Sequence, residues 1–260
     1  ETGSGYWAHQ YDTTFDWNSV YDSPAGPAYG YFTGGVNPAA GSTPAERLLQ
    51  TMVDRTDFSN DTATAVVKGG FSVRRANQAS MGNTNNAWHA GAGYNTPTTS
   101  TTERTDYSSD TTDAVAKGNL TSGKFMMGFA GNKNYGWMVG GPRGTYTWVD
   151  RIDYSNDTAT ALSRAPLTAG RYGAAGAGNA NYGWFAASCM GPYSFVDRID
   201  YANDNTTPVR KGPLSAAAGY KTGAGNSNYG YFVGGKPSCT SVDRIDYSND
   251  TATATQVTTL

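Results

Sequence analysis

An acidic residue, an arginine and a second carboxylate two positions further on occur five times along this chain, each time followed by an aspartate in a polar turn. The third copy is VDRIDYSNDTATA (149–161), with Asp150, Arg151, Asp153 and Asp157. It returns letter for letter at 242–254, and looser copies begin at 53, 103 and 196. Paired carboxylates are the equipment of glycoside hydrolysis, where one protonates the leaving oxygen and the other attacks or activates water. Alternating oxygens, as in Asp153, Ser155 and Asp157, also suit a hard cation such as calcium. The pattern selects neither chemistry. A glycosidase needs two carboxylates facing one cleft, and like copies single out no such pair. A calcium loop needs a glycine and a closing bidentate glutamate that are missing here, and Asp, Asn and Ser serve any tight turn.

Fifteen of the 21 acidic residues belong to the five copies. The others, Glu1, Asp12, Asp16, Asp22, Glu46 and Asp113, are scattered, mostly near the N-terminus. In a strand, residues two apart share a face, so Arg151 and Asp153 point one way and Asp150 the other. Arg55, Arg104, Arg151, Arg198 and Arg244, with Asp57, Asp106, Asp153, Asp200 and Asp246, are therefore expected to tie strand to strand or repeat to repeat. No catalytic residue, metal site or cofactor is expected. His9 and His89 follow tryptophan-containing segments and have no clear third ligand. A nucleophile elbow, a phosphate loop and a CxxC pair are all missing. Cys189 and Cys239 are too few to frame a disulfide mini-domain, and their spacing leaves their pairing open. Formal glycan acceptors stand at Asn60, Asn119, Asn156, Asn205 and Asn249, although turn chemistry alone explains the NDT copies.

The elements that position these residues follow from the repeat. The five arginines are spaced 49, 47, 47 and 46 residues apart. A second landmark keeps step with them: AYGYFTGG at 28, NAWHAGAG at 86, NYGWMVGG at 134, NYGWFAAS at 181 and NYGYFVGG at 228. A third is rich in Gly and Ala, as in RYGAAGAGN (171–179). One period thus reads as four short segments bounded by Gly, Asn, Asp or Pro. Four strands per repeat of this length predict an all-β fold, a β-propeller of four-stranded blades. The small residues suit the innermost strand, where blades converge. Five blades are expected, with six as the alternative if residues 1–27 form a degenerate unit. The chain is expected to be a single domain, with that N-terminal segment completing the first blade. A four-stranded solenoid is the other architecture the pattern allows.

The repeat resembles the kelch motif. Gly34-Gly35, Gly140-Gly141 and Gly234-Gly235 match its double glycine, the five arginines match its strand arginine, and Pro166-Leu167 and Pro213-Leu214 match its proline-apolar step. The family's tryptophan is missing near Thr160 and its equivalents, and the double glycine becomes Ala187-Ser188 in one repeat. The resemblance covers roughly residues 28 to 260 and implies a kelch-like propeller. The repeat variant itself is similar to repeat proteins of marine tailed phages, cyanophages among them. That similarity implies a fibre or appendage protein on a virion surface or in an extracellular setting.

Composition limits the partners. Net charge is −2, which offers no broad basic surface for nucleic acid. No apolar run is long enough to span a membrane. The segments between the aromatic strand and the arginine strand differ sharply from repeat to repeat, and a rigid frame with unlike loops at one end is a common way to present a binding site. Those loops carry the ligand-binding candidates Tyr94, Arg143, Tyr146, Trp148, Tyr193 and Phe195. Such aromatic and arginine residues suit protein anchors and sugar rings. Trp148 and Phe195 have an equally available reading as residues that begin the next strand and pack inside. The expected function is a non-enzymatic binding module that recognises a host glycan or receptor. The alternatives are a purely structural assembly protein, docking with other virion or surface proteins or with itself, and a glycan-active enzyme. ERLLQTM (46–52) is the one helix-like stretch.

Overall fold

The computed structural model describes residues 29–37, 48–93, 98–141, 146–189, 193–236 and 240–259. They form a five-bladed β-propeller of antiparallel sheets. The first blade contributes β1 (Tyr29–Thr33), β4 (Val53–Asp57) and β5 (Val66–Val67), with a hairpin of β2 (Val36–Asn37) and β3 (Leu48–Leu49) between β1 and β4. The second contains β6 (Ala79–Gly82), β7 (Asn86–Ala92), β8 (Thr99–Asp106) and β9 (Val115–Lys117). The third runs through β10 (Gly128–Gly131), β11 (Tyr135–Val139), β12 (Val149–Asp153) and β13 (Leu162–Ser163). The fourth comprises β14 (Ala175–Gly178), β15 (Tyr182–Ala186), β16 (Val196–Asp200) and β17 (Val209–Lys211). Finally come β18 (Thr222–Gly225), β19 (Tyr229–Val233), β20 (Ser241–Asp246) and β21 (Thr255–Thr259). Register repeats from blade to blade: Trp137 faces Arg151, Trp184 faces Arg198 and Tyr231 faces Arg244.

The Gly/Ala segments are the innermost strands, and close approach explains their composition. A Cβ on Gly176 would lie 2.2 Å from the Phe129 carbonyl oxygen, and one on Gly223 would lie 2.0 Å from that of Gly176. No side chain fits at either point. In the second to fifth blades the asparagine before the aromatic strand makes the hairpin turn. Asn132 Oδ1 accepts from the backbone N–H of Asn134 and Tyr135, and Asn179 does the same for Asn181 and Tyr182.

Each carboxylate of the repeated motif has a different position and job. The second, Asp57, Asp106, Asp153, Asp200 or Asp246, caps a short 3-10 turn by accepting a backbone N–H two residues on. From the second blade onward, the third crosses to the preceding blade. Asp157 accepts from the indole Nε1 of Trp88 at 2.9 Å and from Arg104 at 3.0 Å, and it pairs with Lys117 at 3.1 Å. Asp204 is held in the same way by Trp137, Arg151 and Arg164, and Asp250 by Trp184, Arg198 and Lys211. In the first junction Tyr31 replaces the indole, donating to Asp110 at 2.9 Å beside Arg55 and Lys68. The backbone reinforces this clamp: Gly69, Gly118, Ala165 and Gly212 donate their N–H groups to the carbonyls of Asp110, Asp157, Asp204 and Asp250.

The clamp lies beside a buried aromatic seam. Trp88 stacks on Tyr154 at 4.0 Å, Trp137 on Tyr201 at 3.9 Å and Trp184 on Tyr247 at 3.8 Å, all within 10° of parallel. Burying one such indole removes about 200 Å² of largely apolar surface, an upper estimate of about 5 kcal/mol. Met81, Met138, Phe185 and Phe232 complete these junctions.

Two expectations need correction or placement. ERLLQTM is not helical over its described part: Leu48–Leu49 is strand β3, and Gln50 bridges Arg75. Tertiary pairing with β2 overrides the local helical preference of those residues. Residues 1–27, which bear on the sixth-unit alternative, lie outside the described residues.

Replacing Asp157 by Ala leaves two cations and an indole N–H without their acceptor, so urea unfolding should show a loss of about 2–4 kcal/mol. Asp153→Ala, which removes only the half-buried turn cap, should cost clearly less. Acid should open the first junction. Burial alone would raise the Asp110 carboxyl, but hydrogen bonds from Tyr31 and Lys68 and the charge of Arg55 outweigh it and hold the group below the usual carboxylate range. Tyr31, half-buried and bonded to that carboxylate, is pushed up to about 12. A carboxyl with a depressed folded pKa stabilises the fold above its unfolded pKa and loses that contribution as pH falls through the folded value. Melting temperature should therefore drop as pH falls through about 4 and below, with a shallower drop in Asp110→Asn.

Candidate binding face

In the second to fifth blades the first carboxylate of the motif points inward and anchors the link that enters the innermost strand. Arg171 pairs with Asp197 at 2.9 Å, and neither side chain is exposed. Thr168, three residues before that arginine, donates its hydroxyl to the same carboxylate. Lys124 and Thr121 meet Asp150, Arg75 and Ser72 meet Glu103, and Lys221 and Ser215 meet Asp243 in the same arrangement. Burial pushes Arg171 and Lys124 down, and Asp197 and Asp150 oppose that shift.

Up-and-down strands place the links between blades at the same end as the loops joining second to third strands. The anchored cations therefore lie against the loop aromatics. Tyr146 and Trp148 stack at 4.1 Å and are 37% and 38% exposed. Lys124 Nζ lies 5.3 Å from the Trp148 ring centroid. Tyr193 and Phe195 form a second pair at 4.9 Å, and Phe195 has the guanidinium groups of Arg210 at 3.8 Å and Arg171 at 4.9 Å. One buried residue joins the two pairs: Arg171 donates its backbone N–H to the Tyr146 carbonyl and its guanidinium to the Phe195 carbonyl. The first glycine of the pair suits this end because the next link runs close by. Gly140 has φ +85°, and a Cβ there would meet the Arg171 carbonyl oxygen at 2.7 Å.

Tyr146, Trp148, Tyr193 and Phe195 thus share one end of the propeller. Tyr94 and Arg143 lie outside the described residues, as do His9 and Cys239. Trp148 and Phe195 immediately precede β12 and β16 and keep part of their surface at the loop end. His89 is an interior residue, hydrogen-bonded to Ser80 at 2.7 Å and Thr105 at 3.2 Å. Burial and the charge of Arg75 lower its pKa to about 3, which keeps it neutral at physiological pH. The Cys189 thiol donates to the Tyr172 carbonyl, and burial raises its pKa. The acceptor asparagines Asn60, Asn119, Asn156, Asn205 and Asn249 are exposed.

The buried cations beneath the loops were not singled out from sequence, although a signal existed. LTSGK (120–124), LTAGR (167–171) and FSVRR (71–75) each place a hydroxyl three residues before the cation. Asp197→Asn should cost about 3–5 kcal/mol in urea unfolding, because it leaves the Arg171 charge buried and unpaired. The same variant should change the near-ultraviolet circular dichroism of the Tyr146–Trp148 and Tyr193–Phe195 pairs.

In comparisons with known proteins, no family model matches the chain, and a search of curated proteins returns no match.

Proposed function

We propose that this protein is a non-enzymatic binding module of a virion or cell surface, a kelch-like propeller of the phage fibre or appendage type, which recognises a host glycan through its loop end. The observation that carries the reading is the Tyr146–Trp148 stack, solvent-facing yet fixed on a buried charged frame. Aromatic faces held rigid lose little entropy on binding and pack against the apolar face of a sugar ring. The neighbouring Tyr193–Phe195 pair extends the same end with a phenol and the Arg210 guanidinium.

The fate of the carboxylates also supports a non-enzymatic role. Thirteen of the fifteen in the repeated motif are committed to caps, clamps or link anchors, and the exceptions are Asp54 and Asp61 of the first blade. The positive-φ glycines before four of the five arginine strands, the arginines and the four-segment period support the kelch-like reading.

A glycan array provides the test. Replacing Tyr146 and Tyr193 by Ala should weaken binding by about tenfold or more, while the melting temperature changes little. Failure to bind any glycan or cell surface, with stable incorporation into particles, would favour a purely structural assembly protein. Turnover of a polysaccharide would overthrow the reading.

A further inference from the structure

Beneath the loops of three blades one buried cation meets one carboxylate, but the fourth blade holds a second cation. On the outer strands Glu103 stands opposite Ala116, Asp150 opposite Ser163 and Asp243 opposite Gln256. Among the described residues each of these carboxylates has one charged partner, Arg75, Lys124 or Lys221. In the fourth blade Asp197 stands opposite Arg210. Residues directly opposite in an antiparallel pair share a face, so Arg171 and Arg210 converge on a single carboxylate. That carboxylate is already held by Arg171 and by the Thr168 hydroxyl. Arg210 forms no ion pair among the described residues.

Arg210 is nonetheless fixed in place. Its guanidinium carbon lies 3.8 Å from the Phe195 ring centroid, and its Nη2 donates to Thr168 Oγ1 at 3.0 Å. The remaining N–H donors have no partner among the described residues, and the side chain is exposed. The scaffold needs no charge here, since Ala116, Ser163 and Gln256 serve at the same register position. A charge here also has a cost: burial lowers the Arg171 pKa, and Arg210, opposed by Asp197, adds to that lowering. The described carboxylates of this end are Asp54, Glu103, Asp150, Asp197 and Asp243, and the last four are buried in pairs. Its exposed cations include Arg210 and Lys236, whose Nζ lies 5.9 Å from the Tyr220 ring centroid.

We propose that Arg210 makes the loop end selective for an anionic glycan, with the carboxylate or sulfate of one sugar unit on the Arg210 fork and the ring of that unit against Tyr193 and Phe195. The inference rests on the loop end being the glycan-binding face, and it names the class of glycan. A guanidinium presents parallel N–H donors that fit an oxyanion bidentately. One that already lies over a ring and is tethered by a hydroxyl loses little freedom on binding. A neutral sugar of the same shape forms no ion pair with that charge. Arg171 ties the backbone of Tyr146 to that of Phe195. The anionic unit at Tyr193–Phe195 and a neighbouring unit on the Tyr146–Trp148 stack therefore belong to one oligosaccharide.

An array of carboxylated oligosaccharides, each beside its carboxyl-reduced counterpart, tests this, with sulfated and desulfated pairs as a second arm. Wild type should bind the anionic member of a pair about tenfold more tightly than the neutral member. A preference confined to one arm identifies the anion as carboxylate or as sulfate. R210Q should bring the anionic member down to the level of the neutral one. Equal binding of both members by wild type, or an R210Q variant that keeps the preference, would overturn the proposal and leave glycan recognition standing. Binding of no member of any pair would overturn glycan recognition itself, and this proposal with it. Should R210Q lose its far-ultraviolet circular dichroism, salt decides with wild type alone. Affinity for the anionic member should then fall about tenfold as salt rises from about 0.01 M to about 1 M, while affinity for the neutral member holds. A preference that salt does not change would likewise overturn the proposal.

Discussion

A carboxylate held between an aromatic donor and two cations of the preceding blade is the contact on which the rest of this propeller depends. Asp157, Asp204 and Asp250 are each surrounded by an indole N–H, an arginine and a further cation. Such a group, nearly removed from water, is tolerable only when its charge and lone pairs are met, so the turn that carries it must sit at one point on its neighbour. The aromatic stacks and the close approach of the inner strands then follow from the same placement. Apolar burial supplies the larger free energy, and the charged contact supplies the register. Methionine, phenylalanine and histidine all occur at one equivalent inner position, Met138, Phe185 and His89, while the clamp carboxylate does not vary across the four closed junctions.

The period, the four segments and the innermost strand were legible in the sequence because each rests on a local rule. Small residues mark close approach, and Asp-Asn-Ser clusters mark turns. The assignment of each carboxylate was less legible. Alternation along VDRID separates Asp150 from Asp153 by face. Nothing local shows that Asp157, in a turn that looks like a cap, reaches the previous repeat while Asp153 makes the cap. That distinction depends on blade packing. ERLLQTM misled for a related reason: its composition favours helix, and its pairing with Val36–Asn37 is a tertiary event.

The loop end was less legible still. Unlike sequence between constant strands pointed to the loop segments, and aromatic type pointed to four side chains that the fold brings to one end. What single residues did not convey is the support beneath them. Lys124 and Arg171 enter from links that look like ordinary Gly/Ala-rich connections, yet each is neutralised by an aspartate about 26 residues later and lies against a loop ring. Pairing across that distance is set by the blade's own sheet. The aromatic face is thus an extension of the core's charge network, and changes in its ring types leave the anchoring pairs untouched.

The lock also has a direction. In each of the four described junctions the cations and the aromatic donor belong to the earlier blade and the carboxylate to the later one. A chain emerging from the ribosome N-terminus first therefore exposes, at each stage, a finished sheet with an empty cage, and the next repeat delivers the acid that fills it 66 to 79 residues after the aromatic donor has appeared. Order of synthesis and order of assembly coincide. Each new blade is templated by the last, so the growing end is selective for the correct neighbour before the whole molecule exists.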